Sequence, residues 1–233
     1  MKIRPIDIAR KLNISTSTLR HYEAWGIIPP VARQSNGYRD YTEEHVAYFT
    51  CVRGMEPGFG IKLSATVLKR IQVNDLDTAI QLIIEAQTFL MQEKKIAEKT
   101  IGILDSIDFD SNKVFAKGKM SIGDVSRETG IPTSAIRHWE QIGLITPYRD
   151  DDNGYRLFDR NHVRQLLLIR TLRTSNYSLE TIKRVLNELE DKNTEEAKKI
   201  ARDSLCNLIK KSHEQLHGAH CLFVLCQKLG LYQ

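Results

Sequence analysis

One pattern in this chain is written twice. Arg20-His21-Tyr22-Glu23 returns 117 positions later as Arg137-His138-Trp139-Glu140, and Asn36-Gly37-Tyr38-Arg39 returns at the same distance as Asn153-Gly154-Tyr155-Arg156. The register holds without a gap from Lys2 and Lys119 to at least Arg53 and Arg170. That is an internal duplication. A period this long, used twice, is not a solenoid, whose units are shorter and need several copies to bury a core. The chain is therefore expected to fold as two homologous domains.

The punctuation of the first copy names its elements. Ile6, Ile8, Ala9 and Leu12 recur at helical spacing and stop at Asn13, a residue that tolerates a left-handed cap. A second helix starts from Ser15 or Thr16, runs through Leu19 and Tyr22 to about Trp25, and ends at Gly26. Two short helices joined by a tight turn make a helix-turn-helix. Ile27-Ile28-Pro29-Pro30 cannot continue a helix. Asn36-Gly37 then signals a two-residue hairpin, with 31–33 and 38–41 as the strands of a small wing.

These residues resemble the MerR family of bacterial transcription regulators. The family's pattern is met by Leu19-Arg20-His21-Tyr22-Glu23, Gly26-Ile27, Pro30 and Asn36-Gly37-Tyr38-Arg39-Asp40-Tyr41. The second copy meets it with Ile136-Arg137-His138-Trp139-Glu140, Gly143-Leu144, Pro147 and Asn153-Gly154-Tyr155-Arg156-Leu157-Phe158. Both copies depart from it by carrying His21 and His138 where the family has tyrosine. The resemblance implies a mainly α fold of duplicated winged helix-turn-helix modules, each followed by a long coiled-coil helix.

Beyond the first wing, Thr42-Glu43-Glu44 caps a third helix, and Gly54, Pro57, Gly58 and Gly60 are expected to interrupt it before a fourth helix around 63–71. The first copy holds one residue fewer at this link than the second, which reads Ser175-Asn176-Tyr177-Ser178-Leu179. From Leu76 to about Ser106, Leu76, Ile80, Ile83, Leu90, Ala97, Ile101 and Leu104 keep a heptad-like seam, broken by Gln87 and Lys94. Such a helix is roughly 45 Å long and serves pairing, not a compact core. Its counterpart carries Ala197, Ala201, Leu205, Leu208, Leu216, Ala219, Leu222, Phe223, Cys226 and Leu229, with Gly218 as a kink or the end of a turn. The expected organisation is a first winged domain at 1–73, a first pairing helix at 76–106, a linker at 107–118, a second winged domain at 119–190 and a second pairing helix at 194–230.

In the resembled family two chains pair through antiparallel helices of this kind. Here the two long helices pair with each other, making a covalent pseudo-dimer; the alternative is a further homodimer in which each chain uses one module on DNA. A formal net charge of +5 permits nucleic acid without diagnosing it. No apolar run approaches a bilayer span and no signal-peptide pattern precedes the first helix, so a cytoplasmic protein is expected. Cys51, Cys206, Cys221 and Cys226 contain no CxxC pair, which favours reduced thiols. No phosphate loop, triad or paired carboxylates mark an enzyme.

The second helix of each module is expected to enter the major groove of double-stranded promoter DNA. The candidates there are Ser15, Thr16, Ser17, Thr18, Arg20 and His21 in the first copy and Thr133, Ser134, Arg137 and His138 in the second. Tyr38, Arg39, Tyr155 and Arg156 match the family's wing. Arg33 is a further basic wing residue, and the second copy has Asp150 in register with it, inside Arg149-Asp150-Asp151-Asp152. Either Arg149 substitutes, or the acidic second wing grips more weakly. Because the recognition helices differ, so should the half-sites. The resemblance further implies bending of an over-long promoter spacer and RNA polymerase as partner. A second reading is one DNA-binding module joined to a protein-partner module, as in an architectural or excisionase-like factor.

No cofactor is expected and no separate effector domain beyond the second long helix. Within HEQLHGAHCLFVLC, His213, His217, His220 and Cys221 are metal-ligand candidates by their four-residue spacings, against plain packing of a histidine-rich helix.

Overall fold

The computed structural model describes residues 3–35, 37–105, 119–190 and 195–231; the expected linker 107–118, Asn36 and Thr194 lie outside them. Pro5 opens α1 (Pro5–Lys11) where its missing N–H costs nothing, and Asn13, at φ 51°, closes it. Ser15 caps α2 (Thr16–Ala24), its Oγ accepting the Thr18 N–H at 3.0 Å. Gly26 takes φ 64° and lets the Ile27 N–H reach the Tyr22 carbonyl at 2.9 Å, a Schellman stop. The wing pairs β1 (Ala32–Arg33) with β2 (Arg39–Asp40), strands shorter than expected. Its turn is not the two-residue type. Gln34 N–H donates to Tyr38 O and Gly37 N–H to Gln34 O, both at 2.8 Å, giving a three-residue loop with Gly37 at φ 78°.

The third helix differs from expectation. α3 (Glu43–Gln72) continues through Gly54, Pro57 and Gly58 and breaks only at Gly60 (φ 73°, ψ 157°). α4 (Leu76–Asp105) follows after Asn74, at φ 58°. The second repeat reproduces the plan in α5 (Ile122–Thr129), α6 (Thr133–Gln141), β3 (Tyr148–Arg149), β4 (Arg156–Leu157), α7 (Arg160–Thr174) and α8 (Leu179–Glu190). Gly143 and Leu144 repeat the Schellman stop, with Leu144 N–H on Trp139 O at 2.8 Å. Three pairs of buried positions match the one-residue difference at the link: Ser64, Val67 and Leu68 of α3 fall in the phase of Ile182, Val185 and Leu186 of α8. α9 (Glu195–Lys228) closes the chain.

The chain divides into two compact units, Met1–Leu90 with Lys210–Gln233, and Met91–Ile209. In the first, Leu19, Tyr22, Phe49 and Met55 share a core with Ala79 and Ile83 from the head of α4 and Leu222, Leu225 and Cys226 from the tail of α9. In the second, Ile136, Trp139, Phe158 and Leu166 share a core with Leu104 from the tail of α4 and Ala197, Ile200 and Ala201 from the head of α9. Each winged module is thus completed by the end of one long helix and the beginning of the other.

The buried seam of α4 is Ala79, Ile83, Leu90, Glu93, Ala97, Thr100 and Leu104, so Leu76, Ile80 and Ile101 give way to a phase that includes a glutamate and a threonine. On α9 the seam runs through Ala197, Ala201, Ser204, Leu208, Gln215, Gly218, Leu222 and Cys226. Leu216 is 69% exposed and Phe223 45%, so both leave the expected stripe. Gly218 neither kinks nor ends the helix. It lies against α3, where a Cβ would stand 3.0 Å from the Met55 Cα, and Gly54 and Gly58 meet α9 from the other side. Three glycines therefore let two helices approach at backbone contact.

Candidate nucleic-acid interface

In the first unit the recognition helix α2 presents Ser15, Ser17, Arg20 and His21 to solvent, with Thr16 and Thr18 half-buried. Ser15 is committed to its helix: beyond capping, its Oγ lies 2.9 Å from Thr18 Oγ1. Thr16 and Arg20 line a groove of about 620 Å³ with Arg4, Pro5, Ile6, Gly37, Tyr38, Arg39 and Tyr41. Helix start, recognition helix and wing thus bring three guanidinium groups to one concavity. Arg4, which sequence reasoning missed, is fixed by Asp7 at 2.8 and 2.9 Å. The only sequence signal for it is a basic residue just ahead of Pro5. His21 stacks on the exposed Trp25 at 5.8 Å, an aid His138 lacks because Ile142 takes the tryptophan's place.

The wing arginines are held by the recognition helix. Arg39 Nε donates to Glu23 Oε2 at 2.5 Å, and this hydrogen bond raises the Arg39 pKa further above its ordinary value. Arg33 turns to its own loop, donating to Gly37 O at 3.4 Å. In the second unit Glu140 receives two arginines, Arg156 Nε and Arg149 Nη2, each at 2.6 Å. A carboxylate on the recognition helix therefore sets the wing's angle in both modules, with two bonds in the second.

Strand pairing aligns the two wings. Arg33 pairs with Arg39 and Arg149 with Arg156, so Arg149 occupies the strand position of Arg33 and the second loop is one residue longer. Asp150 faces inward: its Oδ1 accepts the N–H groups of Asp152 at 3.1 Å and Asn153 at 3.3 Å. Only Gly154, at φ 70°, takes a left-handed conformation there. Tyr38 and Tyr155 stand out from the two wings, 70% and 72% exposed. On α6, Ser134, Arg137 and His138 are exposed and Thr133 is half-buried, but the cap is Pro132, without a side-chain hydrogen bond.

Below each wing sits a duplicated device that the capping-box rule, which looks for Glu or Gln, does not recognise. Thr42 and His45 cap α3 reciprocally, and Asp159 and His162 cap α7. Burial raises the Asp159 pKa, but the hydrogen bonds and charge of His162 outweigh it and hold the carboxyl below its ordinary value. His162 Nε2 also reaches the Thr146 carbonyl at 3.0 Å, anchoring the segment that leads into the wing.

The metal candidates do not converge. His213, His217 and His220 are exposed, Cys221 is half-buried, and the one close pair is His217 Nε2 with Cys221 Sγ at 3.6 Å. Burial pushes the Cys221 and Cys226 thiols up, away from the thiolate a metal needs. Among the described residues no group of three or more His, Cys, Asp or Glu side chains gathers, so the donor set does not fit a closed metal site. Among those residues, too, no helix is long and apolar enough to cross a membrane.

Both units are winged helix-turn-helix modules. Residues 4–41 match the model described as MerR family regulatory protein, and residues 120–189 match that of MerR HTH family regulatory protein. The chain is 35% identical over 97 residues to the transcriptional regulator HmrR of Rhizobium leguminosarum bv. viciae, covering 41% of this chain and 74% of the relative. It is 38% identical over 72 residues to the transcriptional regulator CueR of Salmonella typhi, covering 31% and 52%. To heavy metal-dependent transcription regulator 2 of Rhizobium meliloti it is 33% identical over 94 residues, covering 40% and 64%. The chain belongs to the MerR family of transcription regulators. It spans about half the length of the CueR relatives it matches, and those relatives are regulators and not enzymes. No solved structure matches it.

Proposed function

We propose that one polypeptide binds promoter DNA with both modules, as an intramolecular pseudo-dimer that reads two unlike half-sites. The observation that carries this is the reversed sharing of the long helices, since each module's core contains the end of the helix that follows the other. The binding domains are 1–73 and 119–190, the pairing helices 76–106 and 194–230, and 107–118 the joint. Ser17, Arg20, His21, Arg33, Tyr38 and Arg39 contact one half-site, with Ser15, Thr16 and Thr18 shaping the helix start. Thr133, Ser134, Arg137, His138, Arg149, Tyr155 and Arg156 contact the other. Arginine forks suit phosphate oxygens and guanine edges, and short hydroxyls suit either.

Two anchored modules can bend the spacer between half-sites, at an elastic cost of about 1–6 kcal/mol, and so change the approach of RNA polymerase. Footprinting of the purified protein on its upstream region, with its mass in solution, tests this. One chain protecting two unlike half-sites is the expected result; a symmetric palindrome bound by two chains refutes it. Asp151 and Asp152, exposed on the second wing, favour the alternative in which that module binds a protein partner. In that case Arg156→Ala leaves DNA affinity unchanged.

A further inference from the structure

We propose that Glu93 and Arg170 are the positioning residues of the second recognition helix, tying it to the long helix α4 through a partly buried ion pair that has no equivalent among the described residues of the first module. The inference rests on the reading that both modules bind DNA. Arg53 and Arg170 occupy the same place in the repeat but are wired differently. Arg53 donates to Glu56 of its own helix at 2.6 Å, and the Tyr22 hydroxyl donates to the same Glu56 oxygen at 3.3 Å. Arg170 leaves its helix in two directions. Its Nη2 donates to Glu93 Oε1 at 2.6 Å, while Nη1 donates to the carbonyls of Thr129 at 3.2 Å and Gly130 at 3.1 Å.

Those two carbonyls form the turn of the helix-turn-helix, where Gly130 ends α5 at φ 67° and α6 begins three residues on. Glu93 sits in the α4 seam, 3% exposed, and its second oxygen accepts the Thr174 hydroxyl at 2.8 Å. One planar guanidinium therefore fixes the distance from α4 to the turn that aims α6. A lysine, with a single point of charge, cannot hold the carboxylate and both carbonyls in the same fork. Stability alone does not call for this pair, because an apolar residue of similar volume commonly serves a helix seam as well as or better than a buried ion pair. What the pair adds is a defined geometry. In the first unit the corresponding approach of a long helix is made by Gly54, Gly58 and Gly218, with Gln215 Nε2 on Gly58 O at 3.3 Å. Among the described residues that contact stops at α3, with no bond to a turn carbonyl.

A change in the α4 seam at residue 93 is accordingly passed to the second recognition helix and not to the first. The test compares Glu93→Gln and Arg170→Lys with the parent protein, each first checked for a folded melting transition. Thr174→Val, which removes one bond to Glu93 and keeps the ion pair, serves where the larger changes do not fold. Two readouts are taken. One is affinity for duplexes in which the first or the second half-site of the footprint is scrambled. The other, without DNA, is hydrogen exchange across 129–142 and the emission of Trp139 in a Trp25→Phe background, where it is the one tryptophan left. The expected result is a loss of about tenfold at the second half-site, equivalent to about 1.4 kcal/mol, with the first unchanged, and faster exchange at 129–136. Equal losses at both half-sites, or unchanged exchange and emission, overturn the proposal. If the parent protein protects no second half-site, the DNA-binding reading fails, and the DNA-free readouts still decide whether Glu93 positions α6.

Discussion

Replacing Gly58 by alanine should destabilise the protein although alanine is the better helix former. The added methyl would stand 2.5 Å from the Gln215 nitrogen, 2.6 Å from the Glu214 carbonyl carbon and 2.7 Å from the Gln215 Cα. Non-bonded carbon contacts rest at about 3.5–4.0 Å, so α9 must withdraw by roughly 1 Å. The obstacles are backbone atoms, which cannot rotate aside. Overpacking costs about 1–3 kcal/mol, and against backbone atoms this close the upper end applies, about 2–3 kcal/mol; helix propensity returns about 1 kcal/mol, leaving a net loss of about 1–2 kcal/mol. Gly102→Ala is the matched control, since a Cβ there meets nothing within 4 Å. It lies in the exposed part of α4 and should gain about 0.5–1 kcal/mol. At about 2–4 °C per kcal/mol for a chain of this size, the two melting temperatures should separate by about 3–12 °C, followed by circular dichroism. A Gly58→Ala protein that melts at or above the parent would refute the close approach of α9 and with it the account of the first unit's core.

The remaining predictions concern the interface and the thiols. Arg39→Ala and Arg156→Ala should each lower the slope of log affinity against log salt by about 1, measured by fluorescence anisotropy on the operator, while costing about 1 kcal/mol or less in stability because the ion pairs are partly exposed. Asp159 has a folded pKa below its ordinary 3.8, so its contribution is complete above that value and is lost as pH falls through the lowered folded value. Acid melting curves of Asp159→Asn should therefore be flatter below pH 4 than those of the parent, and identical slopes would count against the capping box. Iodoacetamide at mildly alkaline pH should label exposed Cys206 first, with buried Cys51 and Cys226 protected until unfolding, as peptide mass mapping would reveal.

Local signals were legible wherever a residue acts on its neighbours. Ser15 as a cap, Gly26 and Gly143 as stops, and Asn13 as a left-handed corner all follow from interactions within a few residues. The placement of α2 and α6 followed from the repeat, whereas the hold of Glu23 and Glu140 on the wing arginines did not. Signals failed where the deciding partner is distant in sequence. Gly54 and Gly58 look like helix breakers, yet they admit α9, whose Gln215 is 157 residues from Gly58. Glu93 has no place in an apolar heptad and yet completes the seam, because its partner Arg170 lies 77 residues away. Leu216 and Phe223 satisfy a periodicity that the fold does not use. Asn-Gly in the wings misled for a smaller reason: in the second wing Asp150 captures two backbone N–H groups and lengthens the turn.

The division of the first core between distant stretches of chain has a consequence for synthesis on the ribosome. Its first stretch ends at Leu90 and the second begins at Lys210, whereas Met91–Ile209 is continuous. At roughly 5–20 residues per second, the α3 face carrying Gly54, Gly58 and Phe59 waits on the order of 6–24 s for the helix that covers it. By the end of that interval the second unit has been translated in full and needs nothing further downstream. The usual order of domain maturation is thereby reversed: the amino-terminal module is translated first and finished last.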